Sequence, residues 1–247
     1  MRKKSLSLLF VSIILLSFSI PEQPIKVYLI GDSTMAEKQV KAFPEAGWGM
    51  PFKHFFDSSV IVCNHAQNGR STRTFLEENR WKPVVGSLKP GDYVFIQFGH
   101  NDEVKTKKSY TPEKEFRQNL IKYVRETKAK KANPILLTPV ARRKFDTSGK
   151  IEETHAIYSA IVREVATELK VPLIDLDRKS QSLLQELGPE NSKFLFNHLR
   201  PGEHPNYPEG KEDDTHFNEL GARKTAQLVL TEIKSLNLDL AARIVKK

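Results

Sequence analysis

The sequence predicts an α/β fold: a three-layer α/β/α sandwich whose middle layer is a five-stranded parallel sheet. Three observations carry that expectation. Five short apolar runs are spaced along the chain as buried strands, helical apolar stripes fall between them, and no Pro-, Gly- or Ser-rich linker divides the sequence. At 247 residues and 39% hydrophobic content, the chain can bury one full core. It contains no internal repeat and no low-complexity segment.

The elements follow in order. Arg2, Lys3 and Lys4 precede an apolar stretch over 6–20, the pattern of a secretory leader, with Ser17 and Ser19 as small residues ahead of a cut. Residues 1–19 therefore read as a signal peptide and 20–247 as one domain, exported to a periplasm or out of the cell, with no stable membrane association once the leader is removed. A retained anchor is the other reading of the same stretch, which is short for a membrane span. Strands are expected at 27–30, 60–63, 93–98, 135–137 and 173–176. Thr111 and Pro112 supply a helix start, followed by Phe116, Leu120 and Val124 at helical spacing. Ile157, Ile161, Val165 and Leu169 form a second stripe, and Ala222, Ala226, Val229, Leu230 and Ile233 a closing helix.

Charge and cysteine content narrow the setting. The net charge of +9 falls to about +6 without the three leader cations, which favours polyanionic partners. The lone cysteine, Cys63, sits in an apolar run and reads as a small buried hydrophobe. With one cysteine no intrachain disulfide forms, so the core alone must hold the fold.

Open parallel sheets bind ligands beyond the carboxyl ends of their strands, and polar or glycine-bearing turns follow four of the expected strands. Ser33 follows the first within Gly31-Asp32-Ser33, and the segment 64–72 follows the second. Gly99-His100-Asn101-Asp102 follows the third, and Pro139-Val140-Ala141-Arg142-Arg143 the fourth. A serine delivered by a buried strand, with Asp213-x-x-His216 downstream, contains the parts of an activated nucleophile. Gly69 and Asn101 suit oxyanion donors, one through an unshielded backbone N–H and the other through its amide, with the Ser33 N–H as a third. The plainer reading of each is a turn glycine and a loop-bonded side chain.

Taken in order, Gly31-Asp32-Ser33, Gly69, Gly99-His100-Asn101-Asp102 and Asp213-x-x-His216 resemble the SGNH (GDSL-type) hydrolases. Asn64-x-Ala-x-x-Gly69-Arg70-Ser71-x-Arg73 and Pro139-Val-x-Arg142-Arg143 resemble the rhamnogalacturonan acetylesterase branch. The resemblance runs over 25–233. It implies a flavodoxin-like fold, with Ser33 as nucleophile, His216 as base, Asp213 as its orienting acid, and Ser33, Gly69 and Asn101 as oxyanion donors. It also implies a serine esterase that takes acetyl groups from an acidic plant cell-wall polysaccharide, foremost acetylated rhamnogalacturonan, through an acetyl-enzyme, with no cofactor and no metal. Activity should fall in acid as His216 takes a proton.

Several residues bear on selectivity. His100 can meet a sugar hydroxyl, and Arg70, Arg73, Arg142 and Arg143 can form a cationic rim for uronate carboxylates. Solvated arginines are the bland alternative. Trp48 offers a sugar-stacking face or a core side chain. Asp214 is the nearest rival to Asp213 as the acid, and either can cap a helix starting near His216. The segment 188–212 reads as a specificity loop. Histidines 198, 204 and 216 match no His-Glu-x-x-His spacing, so a metal site is not expected. Neither a Gly-x-Ser-x-Gly elbow nor a Gly-x-x-x-x-Gly-Lys-Ser/Thr loop is present. Competing readings are a xylan deacetylase, a lipid esterase, a thioesterase, or a non-catalytic module for acidic glycans. An aromatic-studded basic sheet of the kind that binds single-stranded nucleic acid is missing, so no nucleic-acid partner is expected.

Overall fold

Five parallel strands build the centre of the molecule: β1 (Ile25–Gly31), β2 (Val60–Asn64), β3 (Tyr93–Gln97), β4 (Asn133–Leu137) and β5 (Leu173–Ile174). They lie in the order β2-β1-β3-β4-β5. The computed structural model describes residues 23–245, so the signal peptide read at 1–19 lies outside the described residues. The helices are α1 (Gly49–Phe52), α2 (Thr72–Glu77), α3 (Trp81–Ser87), α4 (Glu113–Ala129), α5 (Ala156–Leu169), α6 (Leu176–Asn191) and α7 (Glu219–Ser235).

Alternation along β1 creates two cores. Val27 and Leu29 face one side with Phe95, Ile135 and Leu137, and are covered by Phe52 of α1, Leu184 of α6 and the Ala222, Ala226, Val229 and Ile233 stripe of α7. Tyr28 and Ile30 face the other with Val94, Ile96 and Leu136, under Phe75, Val84, Phe116, Tyr123 and Val162 from α2 to α5. Burying apolar surface on both faces is what makes these runs continuous rather than alternating.

Local details depart from the sequence reading. Thr111 does not cap α4: Pro112 holds that position without a side-chain bond, and the Thr111 hydroxyl donates to Ser109 O at 3.3 Å. The buried stripe of α5 is Tyr158, Val162, Val165 and Ala166, while Ile157 is exposed. The fifth strand is cut to two residues because Asp175 caps α6, accepting from the Arg178 N–H. Cys63 is half-buried, since β2 is an edge strand flanked by β1 alone. Among the described residues no helix is long and apolar enough to cross a membrane.

Candidate active site

The order of the sheet places its topological switch point between β1 and β3, where a crevice opens beyond the strand ends. β1 ends at Gly31, paired with Gln97 of β3, and the strands approach so closely that a Cβ on Gly31 would stand 2.6 Å from the Gln97 carbonyl oxygen. The chain then turns on Asp32, whose Oδ1 accepts from the Thr34 N–H at 2.9 Å and the Thr34 hydroxyl at 2.8 Å. Behind the turn, Gln97 Nε2 donates to Thr34 Oγ1 at 2.6 Å and Trp48 Nε1 donates to Gln97 Oε1 at 2.8 Å. Burial pushes the Asp32 carboxyl upward against the bonds from Thr34. Trp48 is thus a fully buried brace under the Ser33 turn, not a stacking face for sugar.

Ser33 Oγ lies 2.9 Å from His216 Nε2, across 183 residues of sequence. His216 Nδ1 lies 2.9 Å from Asp213 Oδ2. Asp213 also accepts the N–H groups of Thr215 and His216 on Oδ1, each at 2.9 Å, so carboxylate and imidazole share one tight turn. A carboxylate facing Nδ1 calls for a proton there, which leaves Nε2 free to accept from the serine. Burial raises the Asp213 carboxyl, but the hydrogen bond and charge of His216 with the two backbone donors outweigh it. The net result holds Asp213 well below the usual carboxylate range. The segment is tied down by the Asn197 N–H on His216 O and the Ala46 N–H on Phe217 O. Asp214 points elsewhere, to Arg143 Nη1 and His198 Nε2, both at 2.7 Å. α7 is capped by Asn218, so neither aspartate serves as its cap.

Gly69 sits in an exposed turn at φ +76°, a left-handed conformation that suits glycine. Asn101 is buried, donating from Nδ2 to Arg70 O at 3.1 Å and accepting from Lys107 Nζ at 3.4 Å. The carboxylate of Asp102 ties two motif blocks together. It accepts from the Thr72 N–H at 2.9 Å, the Thr72 hydroxyl at 2.6 Å and the Gly99 N–H at 3.1 Å. Burial nonetheless pushes it up to about 7.

The expected substrate contacts fare differently. His100 is 3% exposed, packed edge-on against His155 with ring centroids 4.3 Å apart, and burial lowers its imidazole well below the ordinary histidine value. It is a buried support rather than a surface for sugar hydroxyls. Arg143 is a strut: its Nε donates to Ser192, its Nη1 to Asp214 and its Nη2 to the Pro189 carbonyl, and 10% of its side chain is exposed. Arg142 bridges Thr215, the His100 carbonyl and Glu103. Arg70 forks onto Glu78, and Arg73 donates to Lys108 O. Charge is visible in a sequence; the acid that consumes it is not. Residues the sequence reading passed over are Glu103, His155 and Lys107. Glu103 holds His155 Nδ1 at 2.9 Å, and Lys107, beside Asn101, makes no ion pair among the described residues. The segment 188–212 starts at a kink at Gly188 and is pinned by Leu199–Lys211 and His204–Tyr207 bridges and by Asn206 on the Val40 and Phe43 carbonyls.

Residues 29–224 match the model of the GDSL-like lipase/acylhydrolase family. The chain belongs to that family. It is 42% identical over 226 residues to the rhamnogalacturonan acetylesterase RhgT of Bacillus subtilis, covering 92% of this chain and 97% of that one. It is 35% identical to the probable rhamnogalacturonan acetylesterase YesY of the same organism, covering 90% and 98%. Among solved structures, the B. subtilis protein YxiM superposes with a TM-score of 0.76 at 30% identity, over 88% of this chain and 58% of that one. The acetylxylan esterase Axe2 of Geobacillus stearothermophilus shares the fold, with a TM-score of 0.61 at 19% identity over 85% and 94%. Membership makes this chain a carboxylic ester hydrolase with an α/β sandwich fold.

Proposed function

We propose that the chain removes acetyl groups from acetylated rhamnogalacturonan by way of an acetyl-enzyme on Ser33. The observation that carries this reading is the pair of 2.9 Å contacts linking Ser33, His216 and Asp213, in a chain similar to RhgT along nearly its whole length. Ser33 Oγ attacks the acetyl carbonyl as His216 Nε2 takes its proton, and the protonated imidazole then gives that proton to the departing sugar hydroxyl. Water enters with His216 again as base, acetate leaves, and the serine is regenerated. Asp213 holds the imidazole tautomer and faces the charge that forms on it. The N–H groups of Ser33 and Gly69 and the Asn101 amide receive the oxyanion, each such donor contributing on the order of a hundred- to a thousand-fold in rate.

An acidic polymer suits the mouth of the site. Lys107 beside Asn101, with Lys105 and Lys108 on the same exposed loop, forms ion pairs with no carboxylate among the described residues, leaving cations for uronates. Export through the N-terminal leader would bring the enzyme to such a polymer. Acetate release from acetylated rhamnogalacturonan fragments, acetylated xylo-oligosaccharides and longer-chain esters tests the reading, with Ser33→Ala as control. The pectic fragments should react fastest, and the alanine variant should lose turnover while keeping its melting temperature. Preference for a long-chain ester, or turnover without the hydroxyl, would refute it.

A further inference from the structure

We propose that Arg70 is the positioning residue of the oxyanion pocket: its guanidinium sets the plane of the Asn68–Gly69 peptide, and its own carbonyl holds the Asn101 amide. This rests on the ester-hydrolase reading of Ser33. Arg70 Nη1 donates to the Asn68 carbonyl oxygen at 2.8 Å. That oxygen belongs to the same peptide group as the Gly69 N–H. In a planar trans peptide the two bonds point in opposite directions, so a donor fixed on the oxygen fixes the aim of the N–H. The donor is itself clamped, with Nε 3.0 and 2.9 Å from the two Glu78 oxygens and Nη2 2.9 Å from Oε1. This fork is the geometry in which an arginine–carboxylate pair is most rigid.

The turn needs such a clamp. Among the described residues, chain neighbours aside, nothing lies within 4 Å of where a Gly69 side chain would begin, so that side of the turn has no packing partner. Its neighbour Asn68 is held from the other side by Lys38, a side chain with no exposed surface, whose Nζ donates to Asn68 Oδ1 at 2.9 Å and lies 2.7 Å from Glu45. Across the pocket, Lys107 has only donors, which makes the atom it meets on Asn101 the oxygen. Asn101 Nδ2 therefore faces Arg70 O, with its second hydrogen left for substrate. One residue thus governs two donors, one through its side chain and one through its backbone. A guanidinium on the peptide oxygen also polarises that peptide, making its N–H a stronger donor.

Rates on p-nitrophenyl acetate, a neutral ester, and on acetylated rhamnogalacturonan oligosaccharides separate this role from uronate binding, because breakdown of the acetyl-enzyme is the same step for both. Arg70→Met should lower kcat about tenfold on both substrates with KM near wild type, a smaller loss than deleting a donor outright. Glu78→Gln, which leaves the pocket itself untouched, should lower kcat on both by a smaller factor, and Arg70→Lys should recover part of the loss. Melting curves identify any variant that fails to fold, in which case Glu78→Gln decides. A rise in KM confined to the acidic oligosaccharide, or unchanged kcat in folded Arg70→Met and Glu78→Gln, would overturn the proposal. A wild-type chain that cleaves neither ester would instead overturn the hydrolase reading, and this proposal with it.

Discussion

Asp213 and Asp214 share a peptide bond and differ in everything that matters to the chemistry. Asp213 faces His216 Nδ1, whereas Asp214 faces Arg143 and His198. Asp213→Asn should lower kcat on the order of 10⁴-fold at little cost in KM, because the amide can stabilise the wrong imidazole tautomer. Asp214→Asn should leave kcat close to wild type and lower the melting temperature modestly, since it removes the half-exposed carboxylate that the mostly buried Arg143 meets. Steady-state kinetics and thermal melts on the two variants check both outcomes. Because Asp213 is held below the usual carboxylate range, it stays ionised on acidification where an ordinary carboxylate would take up a proton. Ser33, Asp213 and His216 were legible because each lies in a short motif. Arg142 and Arg143 were not, because their partners lie as far off as Thr215, 73 residues from Arg142.

At the level of elements, the strands could be read because full burial writes itself as unbroken apolar runs. The phase of α5 could not: Ile157 is as apolar as Val162, and only packing against the sheet decides which of them is covered. The short helices α2 and α3 carried too little periodicity to announce themselves, whereas α6 was passed over although Leu176, Leu183, Leu184 and Leu187 recur at helical spacing. The contact between β1 and β3 has a direct consequence. Gly31→Ala would drive a methyl group into the Gln97 carbonyl one step before the nucleophile turn. It should cost about 1–3 kcal/mol of stability by overpacking and reduce kcat, as read by denaturant unfolding and by acetate release.

Across the whole molecule, the order β2-β1-β3-β4-β5 could not be read from pattern, because strand adjacency is set by contacts that no local window contains. Within that frame Asp102 lashes the α2 start to the turn after β3 from a fully buried position. A carboxyl raised to about 7 in the fold, from about 3.9 when unfolded, stabilises fully below the lower value and loses that contribution as pH rises through the upper one. The melting temperature of the native chain, relative to Asp102→Asn, should therefore drop from about pH 5 to about pH 8. A flat difference would contradict it. The turn that carries Asp213 and His216 bears on how such an enzyme can be assembled at all. Carboxylate and imidazole arrive as a prefabricated cartridge, so within the trio they form with Ser33 global topology has one long-distance appointment to keep, between serine and imidazole. Loops threaded between those two points can lengthen or shorten, provided that appointment is met and the turns bearing Gly69 and Asn101 stay linked through the Arg70 carbonyl.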